Sequence, residues 1–194
     1  MKLIAALFFL LIIGLMAKSF LFSFRSQGPD EYADTAPLFD MKTHLNGEIL
    51  SEGLIFGPTG RMSSSFVARM YGEWSGNSGT LTEEFTYSTG RQQTRKWFLE
   101  LGNDNTFTAT ADDIIGTAKG EISGSTIKIT YRIVLPPEAG GYKLDVTDWL
   151  YLAGNGTIMN RSEMRMFGVK VADLVATMRQ DPEALAAFGR AEAS

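Results

Sequence analysis

From Leu45 to Phe167 the chain is cut by short glycine-containing turns into runs mostly about 8 to 13 residues long, and this punctuation restricts the fold more than any other feature. The turns include Gly57-Pro58-Thr59-Gly60, Gly76-Asn77-Ser78-Gly79, Gly102-Asn103-Asp104-Asn105 and Gly154-Asn155-Gly156, and the runs between them are rich in Thr, Ile, Val, Phe, Tyr and Trp. Within the runs, apolar residues alternate with polar ones. Ile127, Ile129, Tyr131, Ile133 and Leu135 take one face of a strand, and Lys128, Thr130 and Arg132 take the other. Leu81, Phe85 and Tyr87 repeat the pattern, as do Phe107, Ala109 and Ala111. Half-buried antiparallel strands are therefore expected near 45–56, 62–74, 80–89, 92–101, 105–111, 118–122, 125–135, 142–153 and 157–167.

A meander of eight or nine strands would have to protect two long edges unless it closes. The expected fold class is thus all-β: an antiparallel up-and-down barrel, with a strongly curved, partly open sheet or a two-sheet sandwich as alternatives. No run is long enough for a crossover helix, which argues against a doubly wound fold. After Gly168 the spacing of Val171, Leu174, Val175 and Met178 predicts a short helix packed on the sheet, and Asp181-Pro182-Glu183 would restart a weakly helical tail over 181–194.

The first 25 residues differ in kind. Leu3 to Phe24 is apolar apart from Lys18 and a few serines, and as one helix it would measure about 33 Å. A transmembrane helix over residues 3–24 is the expectation, with Lys18 reaching for headgroups. A signal segment cleaved after Ala17 is the alternative, weakened by Leu15 where a small residue is wanted. The short N-terminal tail would stay in the cytoplasm, which makes this a single-pass chain with its domain on the exported side and the bilayer as its partner. Residues 26–40, with Gly28, Pro29 and Pro37 among polar residues, read as a linker. The domain itself would span 41–180.

Fifteen basic residues face 22 acidic ones after Arg25. This excess disfavours nucleic acid as a partner. The absence of cysteine excludes disulfides, thiolate nucleophiles, iron–sulfur centres and a lipid-bearing N-terminal cysteine. The single histidine, His44, leaves no partner for a histidine-pair metal site. The carboxylates at Asp112, Asp113, Asp145, Asp148 and Glu163 do not follow a calcium loop, and no glycine cluster forms a phosphate-binding pattern, so neither a metal nor a cofactor is expected.

Two charged residues interrupt apolar faces. Glu83 shares its face with Leu81, Phe85 and Tyr87, and Arg95 shares one with Trp97, Leu99 and Leu101 across the turn at Gly90. In a hairpin they come within cross-strand or diagonal reach, and inside a barrel each would be costly without the other. They read as a register-fixing ion pair or as the head-group end of a ligand site. Trp97, Tyr131, Trp149 and Tyr151 are the aromatic candidates for lining such a site; no catalytic set accompanies them.

The segments Gly72-Glu73-Trp74, Gly79-Thr-Leu-Thr-Glu-Glu-Phe-Thr-Tyr-Ser-Thr-Gly90, Arg95-Lys96-Trp97, Asp113-Ile-Ile-Gly-Thr-Ala-Lys-Gly120, Thr147-Asp-Trp-Leu-Tyr151, Asn160-Arg161 and Met166-Phe167-Gly168 together resemble the DUF3833 family over residues 45–175. That family comprises bacterial envelope proteins without an assigned function, often lipoproteins. The resemblance implies a cell-envelope protein with a lipocalin-like barrel and supplies no catalytic residues; with no cysteine to carry lipid, it implies residence in the bacterial inner membrane with the domain in the periplasm. The functional expectation is an envelope accessory protein binding a lipid or other apolar small molecule. A structural or interaction subunit with a filled core, partnered by another envelope protein, is the alternative, and an envelope enzyme comes third.

Overall fold

The computed structural model describes residues 2–21 and 23–180. Ten antiparallel strands close into a barrel in which each strand pairs with its neighbours in sequence and the last returns to the first. They are β1 (Gly47–Phe56), β2 (Met62–Ser75), β3 (Ser78–Tyr87), β4 (Gln92–Leu101), β5 (Thr106–Thr110), β6 (Ala118–Ser123), β7 (Thr126–Val134), β8 (Lys143–Leu152), β9 (Ile158–Met166) and β10 (Val169–Gln180). The nine strands read from the alternation are all present. Their faces also fall as the pattern requires, with Leu81, Phe107, Ala109, Ile127, Ile129 and Ile133 turned inward and buried.

The tenth strand corrects the expected C-terminal helix. Val169–Gln180 runs antiparallel to β1 from Phe56↔Asp173 to Ile49↔Gln180 and to β9 on its other side. Leu174, Ala176 and Met178 point to the core on a period of two, which fits these residues as well as the helical spacing does. Pairing both β1 and β9 satisfies backbone groups that two open edges would leave bare, and this non-local gain overrides local propensity. The weakly helical tail expected over 181–194 lies outside the described residues.

The expected transmembrane helix is also corrected. Residues Lys2–Leu21 form a helix, α1, but among the described residues no helix is long and apolar enough to cross a membrane. The uncharged stretch between Lys2 and Lys18 is fifteen residues. It would reach about 22 Å, short of the roughly 30 Å hydrocarbon layer. Phe24, counted above as the far end of a span, is instead buried, with the Arg161 guanidinium 4.8 Å above its ring. The bilayer as a partner through residues 3–24, the single-pass topology and the inner-membrane and periplasmic placement that rested on that span are therefore not supported.

Residues 26–40, read from composition as a linker, lie along the barrel. Ser123 Oγ donates to the Pro29 carbonyl (2.6 Å), Ser125 N donates to Thr35 Oγ1 (2.9 Å), and Phe39 N donates to the Gly124 carbonyl (2.8 Å). Gly124 has a positive φ of 51°, and a Cβ there would sit 1.9 Å from the Tyr32 carbonyl, so only glycine admits this close approach. A one-turn helix, α2 (Met41–His44), follows, capped by Asp40, whose Oδ1 accepts from Lys42 N (3.0 Å). His44 belongs to the same cap through contacts with the Asp40 backbone. Phe39, Met41 and Leu45 are buried in the main core, where they plug one end of the barrel.

Candidate functional site

The barrel interior is not filled. A cavity of about 350 Å³ runs from the α2 plug, where Met41 and Leu45 line it, toward the opposite rim, where Arg91, Leu135, Pro136 and Ala139 line it. Its wall is mostly aliphatic and aromatic, including Phe66, Met70, Leu81, Phe85, Trp97 and Leu99. The volume falls at the lower end of the range of small-molecule pockets.

A small polar group is set into this wall. Glu83 and Arg95 stand directly opposite each other on β3 and β4. Their contact is loose, with Arg95 Nη1 3.9 Å from Glu83 Oε2. The tight partner of Arg95 is Asp113, whose Oδ2 accepts from Nε (2.9 Å) and from Nη2 (2.7 Å). Trp97 Nε1 donates to Glu83 Oε2 (3.2 Å). Across the cavity, Tyr131 on β7 donates its hydroxyl to Asp148 Oδ2 on β8 (2.8 Å), and Ser162 on β9 stands opposite Asp148. The Trp97 and Tyr131 rings meet edge to face at 5.3 Å and join the two polar clusters.

Burial sets the charge states. It pushes the Glu83 carboxyl up to about 7, against the pull of the Arg95 charge and the Trp97 hydrogen bond and with the help of Asp148 and Asp113. Burial also raises Asp148, although the neighbouring Ser162 hydroxyl, the Tyr131 hydrogen bond and the Arg95 charge work the other way. Burial works against the Arg95 guanidinium, but Glu83, Tyr131 and Asp113 more than offset it and hold its proton more tightly than usual. Burial, with the Asp148 charge beside it, raises the Tyr131 phenol well above its ordinary value. No group of three or more His, Asp or Glu side chains placed to hold a metal occurs among the described residues.

The DUF3833 family profile, described as "Protein of unknown function (DUF3833)", matches residues 18–180, most of the chain. The chain belongs to the DUF3833 family. No curated protein matches it. Among solved structures, this DUF3833 barrel is similar to Rv2717c from M. tuberculosis, with 16% identity, a TM-score of 0.54, and 76% of this chain and 99% of that chain covered. It is also similar to the S-type phycobiliprotein lyase CPES from Guillardia theta, with 10% identity, a TM-score of 0.53, and 71% of this chain and 89% of that chain covered. Likeness at these identities is a likeness of fold.

Of the residues singled out from the DUF3833 sequence, Glu83, Arg95, Trp97 and Tyr131 come together on the cavity wall. Trp149 and Tyr151 do not. On β8 the inward positions are Leu144, Val146, Asp148 and Leu150, so the two aromatics take the outer face. There Tyr32 covers them, its ring 5.2 Å from Trp149 and 5.9 Å from Tyr151. Gln27 Oε1 accepts from both the Tyr32 and Tyr151 hydroxyls (2.7 and 2.8 Å). Trp149 is buried because a remote segment packs over the outside of the barrel. Sequence reasoning gave no cavity role to Asp113, Asp148, Asn160 or Ser162. Three of these carried a readable signal: Asp148 shares the parity of Val146 and Leu150, and Asn160 and Ser162 share that of Ile158. Asp113 sits in a connection after β5 and is placed by the isolated bridge between Ile114 and Ile133, a long-range pairing without a local signature.

Proposed function

We propose that this barrel is a binding module that holds one small, largely apolar molecule in its interior. The observation that carries the reading is the cavity of about 350 Å³ with its apolar wall and few polar groups. A barrel of this kind can instead fill its interior with side chains. Here the cavity wall carries the small residues Ser51, Ala172 and Ala176 on β1 and β10, and this choice favours a ligand over a solid-core structural subunit. At roughly 30 Å³ per non-hydrogen atom, the space suits about a dozen atoms. Burying them would contribute roughly 0.8 kcal/mol per methylene, offset in part by the lost freedom of the ligand.

Native mass spectrometry of the full chain, followed by organic extraction, tests the reading. A retained small molecule released on unfolding is the expected result. A chain that carries nothing and takes up no apolar compound on titration would overturn it.

A further inference from the structure

The polar groups in the cavity constrain the chemistry of its ligand. Three carboxyls line it, Glu83, Asp113 and Asp148, against two cations, Arg91 and Arg95. Both cations already face protein groups. Arg95 gives two hydrogen bonds to Asp113 and faces Glu83 with a third nitrogen. Arg91 sits at the rim, 3.6 Å from Glu138, with its guanidinium over the Tyr87 ring at 4.3 Å. Once Arg95 is assigned to Asp113, the carboxyls of Glu83 and Asp148 remain without a matching positive charge.

Both also keep hydrogen-bonding capacity on the cavity side. The Glu83 side chain is only 8% exposed, and its contacts with Trp97 and Arg95 all use Oε2, so Oε1 has no partner among the described residues. Asp148 spends Oδ2 on Tyr131, and its Oδ1 is buried without a hydrogen bond. These unfilled acceptors, with the equally unbonded Asp113 Oδ1, therefore stand in the wall of an apolar, low-dielectric space, where an unmatched acceptor is expensive and a donor is strongly favoured. An anionic head group would meet the opposite conditions, with like charges close by and cations that already face Asp113, Glu83 and Glu138.

We infer that the cavity is built for a protonated amine bearing a short apolar tail, its nitrogen donating to Glu83 and Asp148 while the tail lies along the aliphatic and aromatic wall. An ammonium group supplies three donors, enough for both free oxygens, and its charge balances the excess acid. Fatty acids, which share the same tail, are disfavoured by their head group. This inference rests on the interior-ligand reading and names the ligand class for that site.

Calorimetric titration of the full chain at neutral pH with decylamine, decanol and decanoic acid tests it, because the three probes differ only at the head group. The amine is expected to bind at least ~10-fold more tightly than the acid, with decanol between them. E83Q and D148N should each bring the amine within about twofold of decanol bound to the same variant. E83Q retains an acceptor for Trp97, so it serves as the test even where D148N folds poorly. Decanoic acid binding as tightly as the amine, or an amine preference that survives both substitutions, would overturn the inference while decanol binding upholds the interior-ligand reading. Failure of all three probes to bind would overturn both.

Discussion

Replacing Arg95 by methionine removes the one cation enclosed with Glu83 and Asp113. It abolishes two hydrogen bonds to Asp113 Oδ2, at 2.9 and 2.7 Å, and a looser contact to Glu83 at 3.9 Å. Breaking a buried ion pair costs ~3–5 kcal/mol, largely because the surviving charge stays buried. The Asp113 side chain is 25% exposed and recovers part of its hydration, so the lower end applies, about 3 kcal/mol. R95M combined with D113N removes the stranded charge as well, and its loss should fall short of the summed single losses by at least ~1.5 kcal/mol. The matching cycle with E83Q should couple more weakly, since 3.9 Å is too long for a hydrogen bond and Glu83 is part-protonated at neutral pH. Urea unfolding of the full chain, followed by tryptophan fluorescence and far-UV circular dichroism, measures both cycles. Additive losses for R95M and D113N within ~0.5 kcal/mol, or a larger coupling to Glu83 than to Asp113, would refute the assignment of Asp113 as the principal partner.

Glu83 should leave a signature in the pH dependence of stability. Its carboxyl binds a proton up to about 7 when folded, against an ordinary value of 4.5. Between those values the folded state holds the proton and the unfolded state does not, so stability falls as pH rises, by about 3 kcal/mol over the window. E83Q should flatten this fall relative to the unaltered chain, and parallel profiles for the two proteins would count against it. Ser51 is buried, faces the cavity, and leaves its hydroxyl without a hydrogen bond. S51V should therefore stabilise by about 1 kcal/mol, read as a higher urea midpoint; a loss of stability would show that the hydroxyl is satisfied. Gly120 lies under the Phe107 ring, where a Cβ would sit 2.0 Å from Cζ. G120A should cost ~1–3 kcal/mol, and adding F107L should recover part of it. An unchanged midpoint in G120A would contradict the packing described.

Much of the barrel is legible because its signals are local. Alternation in Ile127–Leu135 and glycine turns such as Gly154-Asn155-Gly156 place strands without reference to distant residues. Val171, Leu174, Val175 and Met178 fit helical spacing, while Ala172, Leu174, Ala176 and Met178 fit a strand equally well. Only the bare edge of β1, more than 100 residues away, decides between them. The site divides in the same manner. Glu83 and Arg95 stand out as charges on apolar parity, and the register places them opposite each other. Trp149 and Tyr151 look like cavity lining until Tyr32 is found over them on the outer face. Counting apolar residues through Lys18 makes the N-terminal run look long enough to span, whereas its uncharged stretch is fifteen residues and Phe24 packs against the barrel.

The central claim, that the interior receives an apolar molecule, is tested most directly by titrating the full chain with the neutral fluorescent probe 2-naphthol, alongside variants that fill the cavity. Val146 and Ala176 both line it, so V146F and A176L add atoms to the space while leaving the polar groups in place. The unaltered chain should bind saturably at one probe per molecule, and both variants should lose that binding while still unfolding cooperatively in urea. Unsaturable partitioning, or equal binding by folded V146F and A176L, would contradict an interior site.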